Sequence, residues 1–317
     1  MGGTGLQTAW ALFQGLLIEA LPFLLVGVLI SAAARWLAPG GQWLQRLPRG
    51  PLLGPLSGAL LGFALPACEC GNVPVARQLL VGGAPLGAAL GFLFAAPVLN
   101  PIVLASTWAA FPDQPWLLVA RPLGAVLLTV ALALLLGLLP EARLLQADLL
   151  ALRRLALPLE QASLLERRGG MLGATPPSPR VERPEPAELL RHTSQEFLQL
   201  ALLLVMGCAV AALVQTVVPR QWLLAVGGRP TLSILALMLL ALVVSVCSSV
   251  DAFLALSFAG QVTPGALLAF LLLGPVLDLK LVGLLGLLLR PRAVLIASMG
   301  AGLGVLLIGQ WVNLWAL

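Results

Sequence analysis

Apolar residues fill 7–34, 51–66, 85–111 and 116–139 of this chain, and again 195–218, 231–250, 264–289 and 293–315. A spanning helix needs roughly 20 apolar residues. The pattern therefore predicts an all-α polytopic membrane protein with about 8 transmembrane helices, or about ten segments if half-helices are counted. The run at 51–66 is short for a span; it stops at a polar interruption and resumes through 73–81. The run at 231–250 can extend past a similar interruption to 259, and 85–111 is interrupted at Pro97-Val98-Leu99-Asn100-Pro101.

The interruption after residue 65 reads Pro66-Ala67-Cys68-Glu69-Cys70-Gly71-Asn72-Val73-Pro74. It holds two thiols, a carboxyl and an amide between prolines that forbid an unbroken helix. Non-helical backbone at membrane depth survives only under protein cover or beside a water-filled cavity. A polar break there is a functional-site candidate.

The second set of runs repeats the first. At an offset of 179, Trp43-Leu44 falls on Trp222-Leu223, Pro51 on Pro230, Cys68 on Cys247, Cys70 on Ser249, Asn72 on Asp251 and Pro85 on Pro264. One residue of slippage then puts Pro97-Val98-Leu99-Asn100 on Pro275-Val276-Leu277-Asp278. Rare residues matching in order make the repeat specific, and internal repeats meeting at a midplane site are the architecture of many secondary transporters. The expected organisation is two homologous halves with broken helices, 1–139 and 195–317, joined by a charged Pro/Arg-rich linker at 140–194.

That linker holds eight arginines, seven acids and seven prolines. Its first part, to about Arg168, spaces leucines as an amphipathic surface helix does. Residues 169–187 are Gly/Pro-rich and are expected to be dispensable for membrane insertion. His192 reads as a solvated residue. The whole chain is 60% hydrophobic and 10% charged, with a mean hydropathy of +1.01; soluble domains carry about 25% charged residues. Trp10, Trp36, Trp108, Trp116, Trp311 and Trp315 sit at the ends of apolar runs, as interfacial rings do. The net charge of +5 comes from arginines between the runs, which points to membrane topology rather than nucleic-acid binding. No cleavable signal peptide is expected, because the first nine residues lack a basic stretch and the first apolar run is too long.

The thiols and carboxyls in the apolar sequence define the candidate chemistry. Cys68 and Cys70 can face one pocket from a turn, and paired thiolates suit a soft, thiophilic species or metal. Cys247 occupies the equivalent break, whereas Cys208 reads as a small core residue. Asn72, Asp251, Asn100 and Asp278 form two equivalent amide–carboxyl pairs. They are candidate substrate groups, with the alternative that they cap half-helices. A carboxyl within the bilayer needs a partner, a proton or water. Glu69, Lys280, Arg77 and Glu19 are candidates for coupling or for an internal ion-pair network. Lys280 lies two residues from Asp278, so a regular helix would not face the two together. The ladders Gly54-x3-Gly58-x3-Gly62 and Gly83-x3-Gly87-x3-Gly91 read as close helix packing.

These residues resemble the predicted-permease family that includes the bacterial organoarsenical efflux permeases, of the ArsP/YraQ type. The likeness covers both halves. It rests on Pro66-x-Cys68-x-Cys70-Gly71-x-x-Pro74, Gly83-Ala84-Pro85-x-Gly87, Ala96-Pro97-x-x-Asn100-Pro101, Cys247-Ser248-x-x-Asp251-Ala252 and Gly274-Pro275-x-x-Asp278-x-Lys280. The resemblance implies a multi-pass bacterial inner-membrane permease whose paired cysteines handle trivalent methylated arsenicals in some members. Glu69 stands where the arsenical exporters usually carry a small residue, and a carboxylate there suits a cation or proton coupling.

The expected function is thus efflux of a thiophilic solute, a metalloid, organoarsenical or soft metal, through a midplane site where the two breaks meet. Its partners would be the bilayer and the solute, not nucleic acid, and no cofactor is implied. Two other readings compete. A thiol oxidoreductase would pass electrons through Cys68 and Cys70, but such carriers favour Cys-x-x-Cys at a helix start. A subunit of a larger transport complex would use the linker for docking. The chain has no Walker-type phosphate loop, no metalloprotease His pair and no nucleophile elbow, so it does not read as an enzyme. With four spans per half, the arginine-rich segments 35–50 and 140–194 fall on opposite sides of the membrane, against the positive-inside rule; a re-entrant hairpin at either break would change that count.

Overall fold

The computed structural model describes residues 3–37, 44, 46–64, 69–156, 186–217, 230–248 and 250–316. The first series of helices is α1 (Gly3–Leu37), α2 (Leu53–Ala64), α3 (Glu69–Val81), α4 (Leu86–Leu99), α5 (Pro101–Ala110) and α6 (Pro115–Gly137). Two short helices follow, α7 (Glu141–Leu144) and α8 (Ala147–Ala156). The second series is α9 (Pro186–Val217), α10 (Pro230–Val244), α11 (Asp251–Leu256), α12 (Pro264–Val276), α13 (Leu279–Leu285) and α14 (Pro291–Ala316), with a 3-10 turn at Ala259–Gln261.

Six stretches among the described residues are long and apolar enough to cross a membrane: Gln7–Ala33, Leu86–Ala110, Pro115–Gly137, Ala187–Leu213, Pro264–Leu285 and Pro291–Trp315. Leu53–Ala64 and Pro230–Val244 are shorter apolar helices. The protein is an all-α polytopic membrane protein.

The short helices turn back. α2 lies on α4 along a glycine seam, where a Cβ on Gly58 would collide with the Ala88 carbonyl oxygen and one on Gly62 with Ala96. Gly54 faces Ala88, Gly58 also faces Phe92, and Gly62 faces Ala96, so the contacts advance together and the two helices run parallel. α3 runs the other way. Asn72 at its start reaches the Leu93 carbonyl midway along α4, and its end leads through Gly83, at φ 85°, into the start of α4. Hence α2 and α3 are the arms of a hairpin that enters and leaves by one side. The 12 residues of α2 reach about 18 Å, part of the way through a hydrocarbon core of about 30 Å.

The second hairpin, α10 and α11, is built the same way but enters from the other side. α10 runs parallel to α12: Gly309 of α14 touches both Ile234 and Gly265 at their starts, and Gly274 faces Ala241 near their ends. That base is tied by the Gly265 N–H donating to Asn313 Oδ1 at 2.8 Å and by Gln310 Nε2 donating to Thr231 Oγ1 at 2.8 Å. The base of the first hairpin is tied to the linker instead. Arg153 Nη1 of α8 donates to the carbonyls of Leu80 and Ala84 at 3.0 and 2.8 Å. On this same side the Gln146 N–H donates to Leu288 O and the Arg290 N–H to Leu144 O. α14 starts at the linker side and ends at the opposite one, so the two hairpins insert from opposite faces.

Among the described residues this arrangement gives three full spans per series and inverts the second relative to the first. It also removes the charge conflict, because the described residues 46–50 lie on the same side as residues 140–156 of the linker. The exposed rings of Trp10, Trp108, Trp116, Trp311 and Trp315 belong to the opposite side and that of Trp36 to the linker side. The surface helix expected in the linker is α8, with Leu149 buried and Arg154 exposed. His192 is exposed on the first turns of α9, and Cys208 is buried in its middle. Residues 169–187 lie almost wholly outside the described residues.

Candidate functional site

The turn of the first hairpin, 65–68, lies outside the described residues. In the second, α10 stops at Val244 and Ser245 adopts φ 46°, the one non-glycine residue at positive φ among the described residues. A side chain there costs about 1–2 kcal/mol, and such strain persists only where the surroundings impose it. Asp251 then opens α11. In the first hairpin, Cys68 lies outside the described residues, as does Ser249 in the second. Cys70 is helical in α3, but its side chain, like that of Glu19, is outside the description.

The tips meet. Glu69, the first residue of α3, is 2% exposed. Its Oε2 accepts from Ser248 Oγ at 3.3 Å and lies 3.9 Å from Cys247 Sγ. Its Oε1 is 3.7 Å from Lys280 Nζ of α13, which is also 3.4 Å from Asp278 Oδ2. Lys280 therefore does face Asp278, against the expectation from helical spacing. The reason is that Asp278 is not helical: at φ −134° and ψ 173° it is the N-cap of α13, and its Oδ1 accepts from the Leu281 N–H at 2.6 Å.

A second ion pair lies beside the first. Asp251 Oδ2 is 2.5 Å from Arg121 Nη2, and Arg121 Nη1 donates to Thr107 Oγ1 at 2.6 Å. Arg121 on α6 is fully buried. Glu69 is close enough to Asp251 and Asp278 for their charges to act on one another. The polar groups thus form one buried network of three carboxylates and two cations, with a thiol and two hydroxyls.

The remaining expected site residues separate into two kinds. Asn72 is buried in α3 near this network; its Nδ2 reaches Leu93 O at 3.5 Å, while its Oδ1 and Asp251 Oδ1 have no hydrogen-bond donor among the described residues. Asn100 caps α5, its Oδ1 accepting from the Ile102 N–H at 2.9 Å. Arg77 is half-buried two turns along α3 from Glu69. It lines a cavity of about 220 Å³ on the linker side with Val73, Gln146, Asp148, Gln199 and Leu287. Among the described residues, no three His, Cys, Asp or Glu side chains cluster closely enough to hold a metal ion. The expected thiolate pair at Cys68 and Cys70 falls outside that statement.

Arg121 was not among the residues singled out from sequence. The signal was present: it is a lone arginine within the apolar run 116–139, and an ionisable residue inside a span is a site candidate by default.

The profile of the predicted-permease family matches residues 5–314. The protein YcgR of Bacillus subtilis (strain 168), of the UPF0718 group, is 36% identical over 273 residues, covering 85% of this chain and 85% of that protein. A Streptococcus mutans serotype c protein (strain ATCC 700610 / UA159), provisionally named a two-component membrane permease complex subunit, is 31% identical over 270 residues. That match covers 85% of this chain and 83% of the relative. No solved structure matches at a significant level.

Proposed function

The chain belongs to the predicted-permease family, and from that membership we propose that it moves a small solute through a midplane site where its two hairpin tips meet. The observation that carries this reading is the contact of Glu69 with Cys247 and Ser248. It brings the two breaks of the inverted series together, away from lipid, and surrounds them with ionisable groups that an apolar bundle would otherwise exclude. The two repeats, 1–139 and 195–317, each supply one wall of the site, and residues 140–156 of the linker cover one end.

The cargo we propose is thiophilic: a metalloid, an organoarsenical or a soft metal ion, moved outward across a bacterial inner membrane. Cys247 places a thiol against the Glu69 carboxylate, and Cys68 and Cys70 flank that carboxylate in sequence. Asn72 Oδ1 and Asp251 Oδ1 are left to accept from a polar group of the solute. The site is one for binding and passage; the thiol-oxidoreductase reading would need Cys68 and Cys70, whose Cys-x-Cys spacing departs from the Cys-x-x-Cys that such carriers favour. The name of the Streptococcus relative favours a second reading, in which this chain is one subunit of a two-component permease.

The test is tolerance of a sensitive bacterial host, expressing the chain, to methylated arsenicals, antimonials, copper and silver. Tolerance to at least one of these is expected, with loss in C247S and in C68S/C70S. If the chain alone is inactive, co-expression with its neighbouring genes tests the two-component reading. Unchanged tolerance to the whole panel under both conditions would remove the thiophilic cargo.

A further inference from the structure

We propose that the two buried ion pairs are the gates of the permeation path: Glu69–Lys280 closes the site toward the linker side, and Asp251–Arg121 closes it toward the opposite side. This rests on the permease reading and adds to it the residues that control access. It gives Arg121, otherwise unexplained, a role.

The placement follows from the direction of the chain. α3 runs from the hairpin tip toward the linker side, and Glu69 is its first residue. α13 runs the same way from Asp278, and Lys280 is its second residue. Their pair therefore lies on the linker side of the tips. α11 runs from the other tip toward the opposite side, and Asp251 is its first residue. α5 also runs that way from Asn100, and α6 returns from it, so Thr107 and Arg121 lie on the opposite side of the tips. Each pair joins the returning arm of one hairpin to a helix of the other half: α3 to α13, and α11 to α5 and α6. An inverted repeat produces this exchange, one tie per side.

The linker-side cavity supports the first gate. It is lined by Val73, one turn along α3 from Glu69, by Leu287 just past the end of α13, and by Leu200 of α9. Two turns along α9, Gly207 packs against the Lys280 backbone. The cavity thus lies on the linker side of the Glu69–Lys280 pair, which touches Cys247 through Glu69. Neither pair is redundant with the bundle's packing, since apolar helices need no ionic tie to associate and buried charges are costly to place. Gating residues have a reason to be charged: the pair is held when dry and is released when water or a solute reaches it.

The native thiol of Cys247 lies between the gates and reports which one opens. The full chain, with Cys68, Cys70 and Cys208 replaced by serine, is placed in sealed vesicles of both orientations. A membrane-impermeant methanethiosulfonate is then added from one side at a time. In the parent, Cys247 should react slowly from either side. E69Q cuts the tie between halves yet leaves Lys280 with Asp278; it should raise the rate from the linker side at least tenfold and leave the other side unchanged. R121Q/D251N removes both charges of the second pair without stranding either, and should do the reverse. Opening on the same side in both variants, or parent-like rates in both with full folding by tryptophan fluorescence, would overturn the proposal. The outcome does not depend on which solute is carried, so failure of the tolerance panel and failure of the gates are separate results.

Discussion

Arg121 is a guanidinium with no solvent contact, held by one carboxylate and one hydroxyl. Removing one partner of such a pair strands the other charge in apolar surroundings, at about 3–5 kcal/mol. R121Q should therefore lower stability by about that amount, measured by denaturation in detergent micelles, while R121Q/D251N should recover more than half of the loss. Equal stability of the single and double variants would mean that Asp251 finds another partner. At this scale the sequence was partly legible. Asn100 and Asp278 could be placed beside prolines at the ends of half-helices, because an Asx residue before a new helix has a capping role, and both cap. The pairing of Asp278 with Lys280 was not legible, because spacing rules assume a helical backbone and a cap residue is not helical. The partner of Asp251 was not legible either, being 130 residues away in sequence.

The elements that define the site are the two hairpins, and their packing depends on small residues rather than on polar ones. Gly58 lies so close to α4 that a Cβ there meets the Ala88 carbonyl oxygen, a backbone atom that cannot step aside. G58V should force α2 away from α4, at a cost of about 1–3 kcal/mol, and should disturb the tip. Gly15 on α1 offers the contrast: nothing lies within 4 Å of a Cβ built there, and alanine is the better helix former by about 1 kcal/mol. G15A should be neutral or mildly stabilising, and the two thermal melts measured side by side check the seam. The glycine ladder announced this seam in the sequence, since its spacing of four puts each glycine on one helical face. It did not say that α2 and α4 run parallel. That follows from which residues meet across the seam, and it is what turns a short apolar run into a re-entrant arm.

At the scale of the whole molecule, the hairpins decide the topology. A pattern of apolar runs counts segments but not their directions, so two arms that return to their own side read as extra spans. Once they are paired, Arg46, Arg49, Arg143, Arg154, Arg290 and Arg292 all lie on the linker side. Positive loops stay in the cytoplasm, so the linker should face inward and the end of α14 outward. A reporter active only outside the cytoplasm should work when fused after Leu317 and fail when inserted in 169–187; the reverse pattern would show the molecule to be inserted the other way up. The repeat offset was legible because Trp, Cys and Pro recur in order, but its inversion depends on an odd number of spans per half, which hydropathy alone did not show.

The central claim is that the two hairpin tips, 178 residues apart in sequence between Glu69 and Cys247, touch in the middle of the membrane. Exchanging Glu69 for cysteine puts a second thiol opposite Cys247, two bonds short of the carboxylate it replaces, so a short bis-methanethiosulfonate cross-linker is used beside direct oxidation; Cys68, Cys70 and Cys208 are replaced by serine and a protease site is placed between residues 169 and 187. After mild oxidation or cross-linking in the membrane and cleavage of the linker, a non-reducing gel should show one species of full mass that separates into two halves on reduction. Two separate halves under every oxidising or cross-linking condition, from protein that is folded and inserted, would contradict the meeting of the tips and the shared site built on it.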